Sequence, residues 1–300
     1  VPVTDLEMEN AHSTQNFYRL PTFYNYGVGS AGFGIFRELF GHIKTTNWVL
    51  EGATENFPLL YHHRIVPRAR RPKNIDEAKL TRHVNYWNGS EEIRQFRWDR
   101  EYSNFEALIF LESIPYTVTE WLNGDETKLA WYLEGSLNVI HFMQSNDIIH
   151  FDVQRNNLLT DGNRIFLTDF GLILDNEFEL EDYERKFFET HRRYDEGEFY
   201  YSLVNFLVDK YHALSDRRKR EILSRYGLRT DELSILAKML LDNVEDIVAN
   251  GLLEITEKSA ELMLSHRPVM ALYHDFFTKM RAGSRKDYDF PNEELQRLLA

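Results

Sequence analysis

The chain has 300 residues, 43% of them apolar and 14% aromatic, enough to bury a real core in one two-lobed domain or two small ones. Its formal charge of −13 makes nucleic acid and anionic membrane poor partners for the surface as a whole. There is no cysteine, so disulfides and thiol chemistry are excluded and a reducing, cytoplasmic setting fits; no apolar run approaches the roughly 20 residues of a membrane span.

Residues 1–26 read as loop, apart from a short strand at Val1-Pro2-Val3. Gly27-Val28-Gly29-Ser30-Ala31-Gly32 follows, a Gly-x-Gly-x-x-Gly string whose backbone can come close to a phosphate. What comes next has helical period: Ile35, Phe36, Leu39 and Ile43, with Val49-Leu50 behind them, share one face over 35–50. The glycines therefore read as a flexible lead into that helix, with a phosphate contact through Gly27, Gly29 and Gly32 as the second reading. Asn56-Phe57-Pro58 breaks the pattern, and 59–66 has the composition of a strand. A second helix fits 90–102, and 107–112 is strand-like again. A short helix over 117–122 ends at Asn123-Gly124. Leu129, Leu133, Leu137, Ile140 and Met143 then line one face of a helix over 128–145.

The densest chemistry lies in 147–174. Ile148-Ile149, Leu158-Leu159 and Ile165 to Leu167 read as very short buried strands, and Asp161-Gly162-Asn163 joins the last two as a hairpin. That hairpin sets Asp152, Asn157 and Asp169 at the same end of neighbouring strands. Two carboxylates and an amide oxygen form a hard-oxygen site of the kind Mg²⁺ uses when phosphates also hold it. The competing reading is an acidic turn cluster without a ligand. Beyond it the pattern is helical, at 179–190, 196–212, 216–225, 230–250 and 255–282, with no internal repeat. Basic runs at 64–73 and 217–220 read as solvated faces, with docking patches as the rival reading.

His150-Phe151-Asp152 followed by Asn157 resembles the kinase catalytic loop, His-x-Asp-x-x-x-x-Asn, and Asp169-Phe170-Gly171 resembles the metal-binding Asp-Phe-Gly. The resemblance is strong over 148–171 and extends, through the order of elements, across 33–210. It implies an α+β, two-lobed protein-kinase-like fold, with a partial N-lobe at 1–112 that is truncated at its start and a helical C-lobe at 113–300. By the same resemblance 35–50 is helix C, Glu38 is its ion-pairing glutamate, and 67–104 is an insertion. Backbone groups near Glu112 and Ile114 would face adenine, and the phosphate-binding lysine would precede Val1.

In the chemistry so implied, Asp152 orients and accepts the proton of an attacking hydroxyl beside Asn157, while Asn157 and Asp169 hold Mg²⁺ on the phosphates of ATP. His150 is expected to be a packed structural residue. Phe151 replaces the arginine that pairs with a phosphorylated loop in many protein kinases. Gln154 stands where protein-serine kinases carry lysine, with Arg155 as a partial substitute for that charge. No Ala-Pro-Glu follows Asp169. In these departures the chain resembles haspin-like and aminoglycoside- or choline-kinase-like branches. The implied activity is phosphoryl transfer to a protein serine or threonine. A small-molecule hydroxyl is the alternative acceptor, and a pseudokinase scaffold is the alternative from another class.

Overall fold

The computed structural model describes residues 1–69 and 76–300. It opens with strand β1 (Pro2–Val3) and helix α1 (Asp5–Glu9), the latter within a stretch expected to be loop. The signal for α1 was present, since Thr4 and Glu7 form a reciprocal capping box. Residues 10–34 carry one 3-10 turn at Thr22–Asn25 and lead into α2 (Ile35–Leu50), the helix that the apolar period predicts. Gly34 precedes α2 with φ 123° and offers no side-chain cap. Glu7 supplies one instead, its Oε1 accepting from the Ile35 amide at 2.8 Å.

The first sheet holds β2 (Leu60–Pro67) and β3 (Phe105–Leu111), antiparallel, with β1 on the other edge of β3. Ile35, Phe36 and Leu39 of α2 pack with Val3 and Ala107 as a small core of their own. Between β2 and β3 run α3 (Glu77–Tyr86) and α4 (Glu91–Tyr102), so the segment expected as an insertion is helical where it is described. Residues 70–73 of the first basic run lie outside the described residues. Arg68 of that run is structural, its guanidinium bonded to the Arg100 and Glu101 carbonyls.

The remainder is mostly helical. β4 (Tyr116–Thr117), α5 (Val118–Leu122) and α6 (Leu129–Ser145) precede β5 (Ile148–Ile149), β6 (Leu158–Thr160), β7 (Ile165–Leu167) and β8 (Leu174–Asp175). β4, β6 and β7 form one small antiparallel sheet, and β5 pairs with β8. Gly162, at φ 93°, makes the left-handed turn of the β6–β7 hairpin. Then follow α7 (Asp182–His191), α8 (Tyr194–Ser202), α9 (Val204–His212), α10 (Asp216–Arg225), α11 (Leu233–Asp242), α12 (Val244–Ala249), α13 (Glu257–Ala282) and α14 (Asn292–Leu298). Two of the expected helices are split. Asn243, whose side chain bonds the Met239 carbonyl, ends α11 before α12 begins, and Leu203 separates α8 from α9. Tyr132 and Met143 of α6, Phe199 of α8 and Tyr273 and Phe277 of α13 are fully buried in the large core these helices share. The second basic run lies on α10, where Arg217 and Arg218 pair with Glu221 on an exposed face. No helix among the described residues is long and apolar enough to cross a membrane.

Candidate active site

Residues 150–157 run from β5 to β6, and α8 fixes the backbone of their first part. Asp195 accepts from the His150 amide through Oδ2 at 2.6 Å and from the Phe151 amide through Oδ1 at 2.9 Å. Glu198, one turn on, accepts from the Val153 amide at 2.9 Å. Phe151 sits at φ 63°, a costly conformation for a bulky residue. Its ring is buried among Tyr26, Phe187, His191 and Tyr194. Phe151 is thus a core anchor. No motif pointed to Asp195 or Glu198; the sequence shows only three acids, Asp195, Glu196 and Glu198, inside a helix that is buried almost throughout.

His150 is structural, as expected. Its Nε2 lies 3.0 Å from the Thr168 carbonyl, and its ring meets Phe170, which in turn meets His42 of α2 at 4.8 Å. Burial drives both imidazoles toward the neutral form, His42 down to about 4.

Asp152, Asn157 and Asp169 do come together. The Asn157 side-chain NH₂ donates to Asp152 Oδ2 at 2.8 Å and to the Asp152 carbonyl at 2.9 Å, which leaves its amide oxygen free. Gln154 adds a 3.2 Å bond to the same Oδ2. Burial, with the Asp169 charge assisting and these two amides opposing, pushes the Asp152 carboxyl up to about 6. Leu158 pairs with Leu167, and the Thr168 amide donates to the Asn157 carbonyl at 3.0 Å, so Asn157 and Asp169 leave the hairpin at adjacent places. Asp169 is exposed, at φ 66°, with one oxygen 3.3 Å from the Gly171 amide.

A cleft of about 580 Å³ opens between this cluster and the first sheet, lined by Ala107 to Leu111 of β3, Glu38 and His42 of α2, Thr168 and Asp169. Glu38 therefore lies on a helix facing the cleft. Burial, followed by the nearby Asp169 charge, pushes its carboxyl up to about 7; Arg100 and the chain's amino terminus are the cations that oppose this. Glu112 and Ile114 lie just past the last β3 residue that lines the cleft. The Glu112 amide donates to the Leu59 carbonyl at 2.7 Å, and its carboxylate accepts from the Leu59 amide at 3.1 Å. Arg155, expected as a partial charge substitute beside Asp152, has its guanidinium engaged by Asp209 of α9. The glycine string is a turn leading into α2 and has no strand on either side.

Among the described residues no three His, Asp or Glu side chains gather as an all-protein metal site. The Asn157 amide oxygen and the Asp169 carboxylate suit Mg²⁺ that keeps waters and phosphate oxygens as its other ligands, which is how that ion is commonly held. In comparisons with known proteins, no family model matches the chain and no curated protein matches it.

Proposed function

We propose that this chain is an ATP- and Mg²⁺-dependent phosphotransferase with a two-lobed, protein-kinase-like fold, acting on a hydroxyl of a serine or threonine or of a small molecule. One observation carries the reading. Asn157 is bonded through its NH₂ to Asp152, and the hairpin register brings Asp169 beside it, so three oxygen-bearing side chains gather at the base of the hairpin, with Asp169 lining an open cleft. The small core of α2 and the first sheet would belong to the N-lobe of that fold, whereas the large core takes in Tyr24, Phe57, Trp87 and Phe96 as well as the later helices and so spans both expected lobes.

In this reading Asn157 and Asp169 would hold Mg²⁺, which supplies charge neutralisation on the nucleotide phosphates when bound. Asp152 is the general base. With its carboxyl near 6 it is ionised at neutral pH yet more basic than a free aspartate, the condition for accepting a hydroxyl proton as transfer proceeds. Asp195 and Glu198 hold the loop that carries it. The chemistry asks for positioning and charge, and little covalent work from the protein.

Titration of ATP into the protein by calorimetry, with and without Mg²⁺, tests the reading. Wild type should bind Mg-ATP, and Asp169→Ala should lose the Mg²⁺-dependent part. Mg-ATP affinity that is unchanged in Asp169→Ala would remove the assignment.

A further inference from the structure

A second cavity, of about 420 Å³, opens between α5, α6, α9 and the 150–157 loop. It shares no lining residue with the cleft that holds Glu38 and Asp169. Its size falls within the range of small-molecule sites. Leu122 of α5, Leu129 and Tyr132 of α6 and Phe206 of α9 give it a buried apolar wall.

Charged groups complete the lining. Arg155 comes from the loop, Asp209 and Lys210 from α9, and Asp125 from the connection between α5 and α6. The Arg155 side chain is 17% exposed, yet its ion pair uses a single nitrogen, Nη1 on Asp209 Oδ2. Its Nε and Nη2 meet no acceptor among the described residues. Donors on a guanidinium this shielded from water are costly to leave unfilled, and a planar carboxylate is the partner that fits the fork.

Lys210 stands next to Asp209 in the chain. Its Nζ lies 2.7 Å from Glu126 and over the Phe206 ring, which leaves further N–H donors for a ligand. Asp209 gives only Oδ2 to Arg155, so Oδ1 is free to accept from an ammonium group. The cations Arg155 and Lys210 balance the carboxylates Asp125 and Asp209. A lone ion would upset that balance; a molecule with both charges and an apolar body matches the whole lining.

We propose that this cavity binds a small zwitterion with an apolar side chain, the chemistry of a free α-amino acid. Its carboxylate meets Arg155 and Lys210, its ammonium group meets Asp209, and its side chain lies on Leu122, Leu129 and Phe206. The site needs no nucleotide, so it stands apart from the phosphotransferase reading. The loop is the element that feels the ligand. Arg155 stands three residues after Asp152 and two before Asn157, and the Thr119 hydroxyl of α5 donates to Asn156 Oδ1 at 3.4 Å. A ligand seated on Arg155 therefore steadies the turn that presents Asn157.

Calorimetry on the full chain tests this with L-leucine, L-phenylalanine and L-tryptophan. Phenylalaninamide, which lacks the acid, and 3-phenylpropionate, which lacks the amine, are measured beside them. At least one amino acid should bind with a Kd of about 1 mM or tighter, the scale for a ligand of about a dozen heavy atoms. Removing either charged group should weaken binding about 10-fold or more, and Arg155→Gln should weaken it about 10- to 100-fold. Hydrogen exchange over 153–157 should slow in the saturated protein. No binding by any of the three amino acids, equal binding of either analogue, or an unchanged Kd in Arg155→Gln would overturn the inference. Unchanged exchange over 153–157 would overturn the coupling to the loop. Should Arg155→Gln not fold, the wild-type comparison of the amino acids with the two analogues decides by itself.

Discussion

Asp195 holds the backbone of the 150–153 loop, and Asp195→Ala tests that dependence. The carboxylate accepts two consecutive amides, those of His150 and Phe151, in a fully buried place. Truncation leaves both donors without partners, at about 1–3 kcal/mol each, or about 2–6 kcal/mol together. The left-handed Phe151 stores roughly 1–3 kcal/mol of backbone strain, and with its amide released the loop has a downhill route out of that conformation. Asp152 is the next residue, so it would move too. Asp195→Asn keeps one acceptor and should cost about half as much, about 1–3 kcal/mol. Burial already pushes the Asp195 carboxyl up, so loss of formal charge is the smaller part of either change. Urea unfolding followed by circular dichroism gives the stabilities, and turnover of Mg-ATP gives the functional cost. Stability of Asp195→Ala within about 0.5 kcal/mol of wild type would refute the reasoning, as would an Asn variant as damaged as the Ala variant.

Asp152 must be ionised to act as a base, and its carboxyl in the free protein is raised to about 6, so log kcat/KM should fall with unit slope as pH drops below about 6; a flat profile to pH 4.5 would contradict this. The raised carboxyls of Glu38 and Asp152 each keep a proton in the folded chain over part of the range between about pH 4 and 7 in which the unfolded carboxyl has lost it. The stability they contribute is present below that window and is lost as pH rises through it; buried His42, His83, His150 and His191, all lowered, act with the opposite sign, so the difference in unfolding midpoint between wild type and Glu38→Gln across the range should show the carboxyl's part. Arg37 of α2 and Glu184 of α7 form an ion pair at 2.8 Å with both side chains 2% exposed. Glu184→Ala should cost about 3–5 kcal/mol by stranding the guanidinium, whereas Arg37→Met combined with Glu184→Leu should cost much less; equal losses by urea unfolding would contradict this. Phe151 offers no cation to a loop phosphate, so phosphatase-treated protein should keep its turnover, and a large loss would count against the site as described.

The parts legible in the sequence were those with local signals. The spacing of His150, Asp152, Asn157 and Asp169 around an Asp-Gly-Asn turn gave the hairpin, and the apolar period over 35–50 gave the helix that faces Glu38 to the cleft. Other parts depend on distant partners. β8 is two residues long and exists because β5 lies beside it. α3 buries only Leu80 and Val84, too thin a stripe to stand out. Asp195 and Glu198 look like ordinary helical acids until the fold brings the loop to them. The course of 25–32 was hidden for the same reason, since its anchors Tyr86, Arg100 and His191 come from three separate helices. The Thr4 and Glu7 capping box was readable and marks α1.

On the proposed function Asp152 accepts the acceptor's proton as phosphate leaves a nucleotide held elsewhere. The most direct test is phosphate transfer from γ-labelled Mg-ATP, to acceptor or to water, by wild type and Asp152→Asn at matched nucleotide occupancy. Asp152→Asn should bind Mg-ATP as wild type does and turn it over about 10²–10⁴-fold more slowly, the usual contribution of a general base. Equal turnover by the two proteins, or none from a wild type that binds Mg-ATP, would contradict the account.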